Sequence, residues 1–152
     1  MNAMSSDGKK MISVIVCRPG EQAEITEIDD RLDTMQAIVG GLIQSWDPFY
    51  SESDDRYENV AIVCNEEGKY LELEPSRAIF DENGMLLDVI AGPFFICYAP
   101  VWSENFESLP ADLEDEFEKR FRLPEKFYRT DKGLLVMKYD PNEPVIGRET
   151  ER

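Results

Sequence analysis

The stretch that decides the fold is MISVIVC, residues 11–17. Its side chains are apolar or β-branched almost without interruption, a pattern typical of a strand covered on both faces. Pro19-Gly20 follows as a turn, and residues 23–28 alternate well enough to form an antiparallel partner strand. We therefore predict that the ordered part of the chain begins with a buried strand pair.

The next segment predicts a short helix and then more strands. Asp29 and Asp30 are expected to cap the helix, residues 32–42 supply its apolar face, and Gly40-Gly41 ends it. Further strands are predicted over 42–49, 60–64, 86–90 and 94–98, with a hairpin loop at 65–69, an ordered loop at 76–80 and a turn at 81–84.

A second helix is predicted near the C-terminus. Leu109, Leu113, Phe117 and Phe121 recur every four residues within an acidic segment, and Pro124 ends the pattern. A hairpin is then expected from the apolar runs at 126–128 and 134–139. The fold class predicted from these patterns is α+β: a mixed, mainly antiparallel sheet with one short packed helix, followed by an acidic helix and a hairpin.

The same patterns predict one domain. Residues 1–10 are expected to be a disordered leader, 11–140 a single α+β domain, and 141–152 a polar tail. Within the domain, 11–98 would form the core and 99–140 an appended helix and hairpin.

Charge limits the classes of partner. The 152 residues include 32 Asp and Glu, 16 Lys and Arg and no His, a net charge of −16. Direct binding to nucleic acid or to an anionic membrane is disfavoured, because such binding depends on cations that neutralise phosphate. An acidic field favours a basic protein surface, such as a DNA-binding cleft. The alternative is an acidic surface kept for solubility, or one adapted to a salt-rich host.

The cysteines and the hydropathy pattern predict a cytoplasmic protein. Cys17, Cys64 and Cys97 are far apart, and each ends or lies in an apolar run, as expected of buried thiols in a reducing compartment. They lack the spacing of metal ligands, so no metal and no cofactor are expected. No apolar run reaches the length of a membrane span.

Enzymatic activity is not expected from this composition. A serine or cysteine nucleophile usually needs a histidine base, which this chain lacks, and Gly40-Gly41 ends a helix instead of opening a phosphate-binding one. Catalysis by a pair of carboxylates remains as a minor alternative, with nothing to select the pair among 32 acids.

The candidate partner-binding residues are acids of the second helix and of an acidic loop at 47–58. A helix places successive carboxylates at a spacing comparable to that of DNA charges, although such a run is also typical of a solvated face. Trp46, Phe49 and Tyr50 are candidate anchors beside the loop, with Trp46 favoured as core. The acids are Asp112, Glu114, Asp115, Glu116 and Glu118 on the helix, and Asp54 and Asp55 in the loop.

Arg77 is a candidate ligand-binding residue. The favoured interpretation is a buried arginine that bridges carbonyl groups or a carboxylate, and the alternative is a residue that binds a ligand.

Five short motifs occur in order along the chain and resemble those of a bacterial and phage family, domain of unknown function 3846. The resemblance covers residues 14–98 and implies a mobile-element context, since its members are similar to products of phages, plasmids and conjugative elements. It transfers no catalytic residue. The motifs are RPG at 18–20, IVGG at 38–41, NEEGK at 65–69, PSRAIF at 75–80 and IAGPFFI at 90–96.

Charge and resemblance together favour an acidic interaction protein that inhibits or modulates a basic, nucleic-acid-handling protein, as a DNA mimic of the anti-defence type. The alternative is a module that binds a small ligand or a peptide at a sheet edge or near Arg77, with an acidic surface for solubility.

Overall fold

The computed structural model describes residues 3–4 and 10–143. It contains two α-helices, one 3-10 turn and ten strands within those residues. The helices are α1 (Leu32–Val39) and α2 (Ala111–Phe121), and the 3-10 turn covers Asp55–Asn59. The strands are β1 (Ala3–Met4), β2 (Lys10–Cys17), β3 (Glu24–Asp29), β4 (Ile43–Trp46), β5 (Val60–Asn65), β6 (Pro75–Phe80), β7 (Leu86–Ala91), β8 (Phe94–Tyr98), β9 (Glu125–Thr130) and β10 (Gly133–Lys138).

The main sheet has six strands in the order β1-β2-β8-β5-β4, with β3 also paired to β2. Every strand pair in the described part of the chain is antiparallel. The central register places Ile15 opposite Ile96 and Ile96 opposite Ile62. The predicted α+β class, with a mainly antiparallel sheet, is confirmed.

Both faces of this sheet are covered, which explains its continuous apolar runs. On one face, Val14, Val63 and Phe95 pack with Met35 and Val39 of α1. The opposite face packs against α2 and against strands β6 and β7. Side chains of a strand alternate between the two faces of its sheet, so a strand that is covered on both faces has no exposed residue. β5 and β8 are accordingly buried along their whole length.

Two smaller two-stranded sheets join β6 to β7 and β9 to β10. The predicted C-terminal hairpin is confirmed, but the predicted loop at 76–80 is wrong because Pro75–Phe80 is strand β6. The predicted hairpin at 65–69 is also wrong, since β5 and β6 lie in different sheets. The hairpin turn is at 81–84, where Asp81 Oδ1 accepts the N–H groups of Asn83 and Met85.

The helices form as the apolar spacing predicts, but the N-terminus of α1 differs. Arg31, and not Asp29 or Asp30, is the N-cap of α1, while Asp29 accepts the Arg31 N–H at 3.1 Å. Gly40 ends α1 in the left-handed conformation, with φ of 83°. The strand predicted over 42–49 is shorter, ending at Trp46.

The ends of the chain are only partly described. Ala3–Met4 pairs with Met11 and Lys10, within the segment for which the sequence predicts a disordered leader. The rest of that leader, and the predicted polar tail from residue 144 onward, lie outside the described residues.

Candidate functional site

The two acidic segments singled out in the sequence meet in the structure through Arg56. Its guanidinium binds both oxygens of Asp54, at 2.9 and 2.7 Å, and both oxygens of Asp112 on α2, at 3.1 and 2.8 Å. Such bidentate contacts fix direction as well as distance. The loop and the helix therefore present one surface, which we call the acidic face: Asp54, Asp55, Asp112, Asp115 and Glu116.

The same contacts hold these carboxylates in their charged form. Hydrogen bonds from Arg56 lower the pKa of Asp54 and of Asp112, and they raise the pKa of Arg56. The groups lie at the surface, so solvent weakens their mutual attraction and the arrangement orders the face more than it stabilises the fold.

Aromatic side chains fix the loop to the helix beneath this surface. The Tyr57 ring lies 5.2 Å from the Phe117 ring, and Phe49 meets Phe117 edge-on at 4.9 Å. Phe49 is buried, whereas Tyr50 is 45% exposed. Of the three aromatic candidates, Phe49 therefore belongs to the core and Tyr50 is available to a partner, while Trp46 is partly buried against the core.

A cleft of about 600 Å³ opens beside the acidic face. Arg120 lies at its edge, with its guanidinium 4.9 Å from the centre of the Phe49 ring and a 3.1 Å hydrogen bond to the Phe80 carbonyl. Burial lowers the pKa of Arg120. We call this concavity the Arg120 cleft; its polar and aromatic lining includes Tyr50, Glu52, Tyr57, Asp81, Glu82 and Arg120.

Other predicted acids of α2 serve intramolecular contacts. Glu118 is bound by Arg122 at 2.9 and 2.6 Å, and Glu114 accepts a hydrogen bond from the Ser13 hydroxyl. Asp115 pairs more loosely with Lys119, at 3.3 Å. Among the described residues, Asp55 and Glu116 make no ion pair or hydrogen bond through their side chains, so they and Asp115 are the acids most available to a partner.

Exposed carboxylates also occur on other sides of the molecule. Glu27 lies on edge strand β3, Asp33 on α1, Glu66 after β5, Glu104 before α2 and Asp131 in the C-terminal hairpin. The acidic face is thus the place where two acidic segments converge, within a surface that is acidic more generally.

Arg77 is fully buried and donates to backbone carbonyl groups in α2 and in the turn between β2 and β3. It reaches Phe121 at the end of α2 at 3.0 Å, Arg18 at 3.2 Å and Glu21 at 2.7 Å, with a further contact to its neighbour Ser76 at 3.3 Å. The favoured interpretation of a buried arginine bridging carbonyl groups is what the structure shows. A ligand at Arg77 would have to displace these contacts.

The described residues offer no group of side chains suited to a metal ion. All three cysteines are free and buried, and burial raises the pKa of Cys17 to about 12 and also raises the pKa of Cys97 and Cys64. These thiols are poor nucleophiles as a result. Among those same residues, no helix has the length and apolar character needed to cross a membrane.

Sequence reasoning missed the residues that assemble the site. Arg56 is the only cation in the acidic loop at 47–58, which could have marked it as a residue that binds carboxylates. Its partner Asp112 is 56 residues away, so the sequence does not indicate which carboxylate it binds. Arg120 contacts three aromatic rings, of Phe49, Phe117 and Phe121, and the ring of Phe49 comes from a distant part of the chain.

Comparison with known proteins gives one result. No curated protein and no solved structure matches the chain. A family model matches residues 12–122, nearly three quarters of the chain, and the match runs through α2, so that residues 1–11 and 123–152 are left outside it. The match therefore extends beyond residues 14–98, over which the sequence motifs indicate the resemblance. The chain belongs to the family described as Domain of unknown function (DUF3846).

Proposed function

We propose that this protein binds a basic surface of another protein through the acidic face. The observation that carries the proposal is the double bidentate contact of Arg56, which joins Asp54 in the loop to Asp112 on α2. Because both segments are fixed, their exposed carboxylates keep a constant spacing. Preorganised charge binds with a smaller loss of conformational entropy than charge on a mobile loop.

The Arg120 cleft adds a concave element to this surface. Tyr50 and Tyr57 supply apolar area, and Glu52 and Glu82 supply negative charge at its rim. A lysine or arginine side chain of a partner would place its aliphatic part against the rings and its cation near the carboxylates. Aromatic anchors of this kind often contribute much of the affinity of an interface.

The partner class that we favour is a nucleic-acid-handling protein of the cytoplasm. Its DNA-binding cleft would be both basic and concave toward its ligand, and occupation of the cleft by the acidic face would inhibit it. The net charge of −16 supports this class because long-range attraction accelerates association with basic surfaces. A DNA mimic acting against a defence enzyme is the specific form of the proposal.

The experiment is affinity capture from a bacterial lysate with the immobilised protein at low salt. Parallel columns are eluted with duplex DNA and with rising salt. We expect a DNA-handling protein that is released by both eluents. Release by salt alone would contradict the DNA-mimic form, and the absence of any specifically retained basic protein would contradict the proposal as a whole.

A further inference from the structure

A second cleft, of about 520 Å³, lies between the main sheet and the β6–β7 hairpin. It shares no lining residue with the Arg120 cleft or with the acidic face. Its volume falls in the range of sites that hold small ligands or short peptide segments. We call it the β7 cleft.

One wall of the β7 cleft is the open edge of a strand. Four consecutive residues of β7, 88–91, line it. Successive side chains of a strand point to opposite faces, so a wall made of consecutive residues is an edge and not a face. Strand β7 pairs only with β6, which leaves this edge without a neighbouring strand in the described part of the chain.

The floor of the cleft is the face of another strand. β4 contributes the alternate residues Gln44 and Trp46. A segment that paired with β7 would therefore lie over these two side chains, which would contact every second residue of the incoming segment.

A hydrogen-bond donor on β7 points into this open edge. Val89 is opposite Ala78 in the β6–β7 register. The two residues do not bond each other: the Ala78 N–H donates to Glu125 Oε1 at 2.8 Å, and the Val89 N–H donates to Asp88 Oδ1 at 2.8 Å. They form a non-hydrogen-bonded pair, whose N–H groups point away from the hairpin. The acceptor for the Ala78 N–H of β6 is thus a side chain of β9. The acceptor for the Val89 N–H of β7 is the carboxylate of the preceding residue, Asp88.

At one end of the cleft the opposite wall touches the edge of β7. A Cβ at Gly68 would lie 2.6 Å from the Ala91 carbonyl oxygen, so this position requires glycine. At the other end Lys69 pairs with Asp88, so that Val89 and Ile90 are the β7 residues between these two contacts. These contacts involve the NEEGK and IAGPFFI segments, which thus build the cleft.

The charges and rings of the lining define the occupant. Glu66, Glu67 and Asp88 outnumber the single cation Lys69, and Trp46 and Tyr70 provide aromatic surface. We propose that the β7 cleft binds an extended peptide segment carrying lysine or arginine, which adds as a strand to β7. A peptide carbonyl replaces the Asp88 carboxylate at the Val89 N–H, a basic side chain meets Glu66 and Glu67, and Trp46 packs against the alternate residues.

A reporter variant makes the test direct. The chain has two tryptophans, and Trp102 is 74% exposed and outside the cleft lining. Trp102→Phe leaves Trp46 as the sole tryptophan, so that occupation of the cleft changes its emission. This variant is panned against a phage-displayed library of linear dodecapeptides, and an enriched sequence is then synthesised and titrated.

We expect enriched peptides that alternate apolar and polar residues and include lysine or arginine. N-methylation of the peptide residue that pairs with β7, or Val89→Pro in the protein, should weaken binding at least about tenfold, equivalent to roughly 1.4 kcal/mol. Circular dichroism checks that Val89→Pro folds, and the N-methylated peptide provides the same test without altering the protein. Lack of enrichment, or equal binding of parent and N-methylated peptides, would overturn the proposal.

The two proposals are separable. Asp115→Lys with Glu116→Lys changes the acidic face and should leave peptide binding to the β7 cleft unchanged. Loss of peptide binding in that variant would mean that the peptide binds the acidic face, and the β7 assignment would be wrong.

Discussion

Arg56 and Arg77 each connect distant parts of the chain, but they do so in opposite environments. Arg77 is fully buried, and its guanidinium donates to backbone carbonyl groups of α2 and of the turn between β2 and β3. Arg56 lies at the surface and binds two carboxylates. The first arginine holds elements together, whereas the second fixes the shape of a charged surface.

This difference shows that a high content of acidic residues does not by itself create an acidic binding site. Carboxylates bound by Arg56 or Arg122 are ordered but partly neutralised, while among the described residues Asp55 and Glu116 form no ion pair. The charge that the acidic face can offer to a partner therefore depends on which carboxylates already form ion pairs within the protein. Substitution of each arginine should separate its effect on stability from its effect on the acidic face.

The largest effect is expected from Arg77→Met. Methionine is similar in length but cannot donate hydrogen bonds, so several buried carbonyl groups lose their partner. The free energy of unfolding should fall by about 3 kcal/mol or more, as for other broken buried polar networks. Chemical denaturation measures it, with the exposed Arg31→Met as the matched control that should leave stability almost unchanged. A loss no larger than that of the control would contradict the structural role.

A smaller effect is expected from Glu125→Gln, next to Arg77 in space. Burial raises the pKa of Glu125 above its ordinary value. A raised pKa in the folded state means that the charged form destabilises the fold at pH values above it, and that this cost disappears below the pKa of the unfolded chain. Glutamine keeps the oxygen that accepts the Ala78 N–H. The variant should therefore gain stability relative to the natural protein at pH 7, and the gain should shrink as the pH approaches 4.

Thermal unfolding at a series of pH values tests this prediction. The exposed Glu27→Gln is the control for the loss of one carboxylate. A stability difference that stays constant from pH 7 to pH 4 would show that burial of Glu125 does not govern its ionisation.

The smallest effect on stability is expected from Arg56→Ala, because its ion pairs are exposed to solvent. The thermal midpoint should hardly change, whereas amide hydrogen exchange in residues 51–57 should accelerate as the loop loses its attachment to Asp112. Arg18→Ala, which removes a weaker exposed contact to Glu24 at 3.5 Å, is the control. Unchanged exchange in the loop would mean that Arg56 does not order the acidic face.

Much of the fold was predictable because its signal is local. The buried strands, α1 and the C-terminal hairpin follow from runs or spacings of apolar residues. Strand β6 was missed because Ser76 and Arg77 interrupt its apolar pattern, and the carbonyl groups that make their burial tolerable come from other elements. The outer edge of β6 meets β9 through a side chain, since Glu125 accepts the Ala78 N–H although the two strands belong to different sheets.

The site was less predictable for the same reason. The acids were visible in the sequence, but Arg56 and Asp112 are far apart in the chain, and no local pattern indicates their contact. The β7 cleft depends on a close approach between Gly68 and Ala91 that only the tertiary structure reveals.

The most direct measurement compares two variants of equal charge in the capture experiment. Asp115→Lys with Glu116→Lys alters the acidic face, and Asp33→Lys with Glu104→Lys makes the same change on the α1 side of the sheet. Each double variant replaces one acid that forms a loose ion pair. This acid is Asp115, paired with Lys119, in the first variant and Asp33, paired with Arg31, in the second. Our account predicts that the first variant loses the captured basic protein and the second retains it. Equal retention, or equal loss, would contradict a binding role for the acidic face.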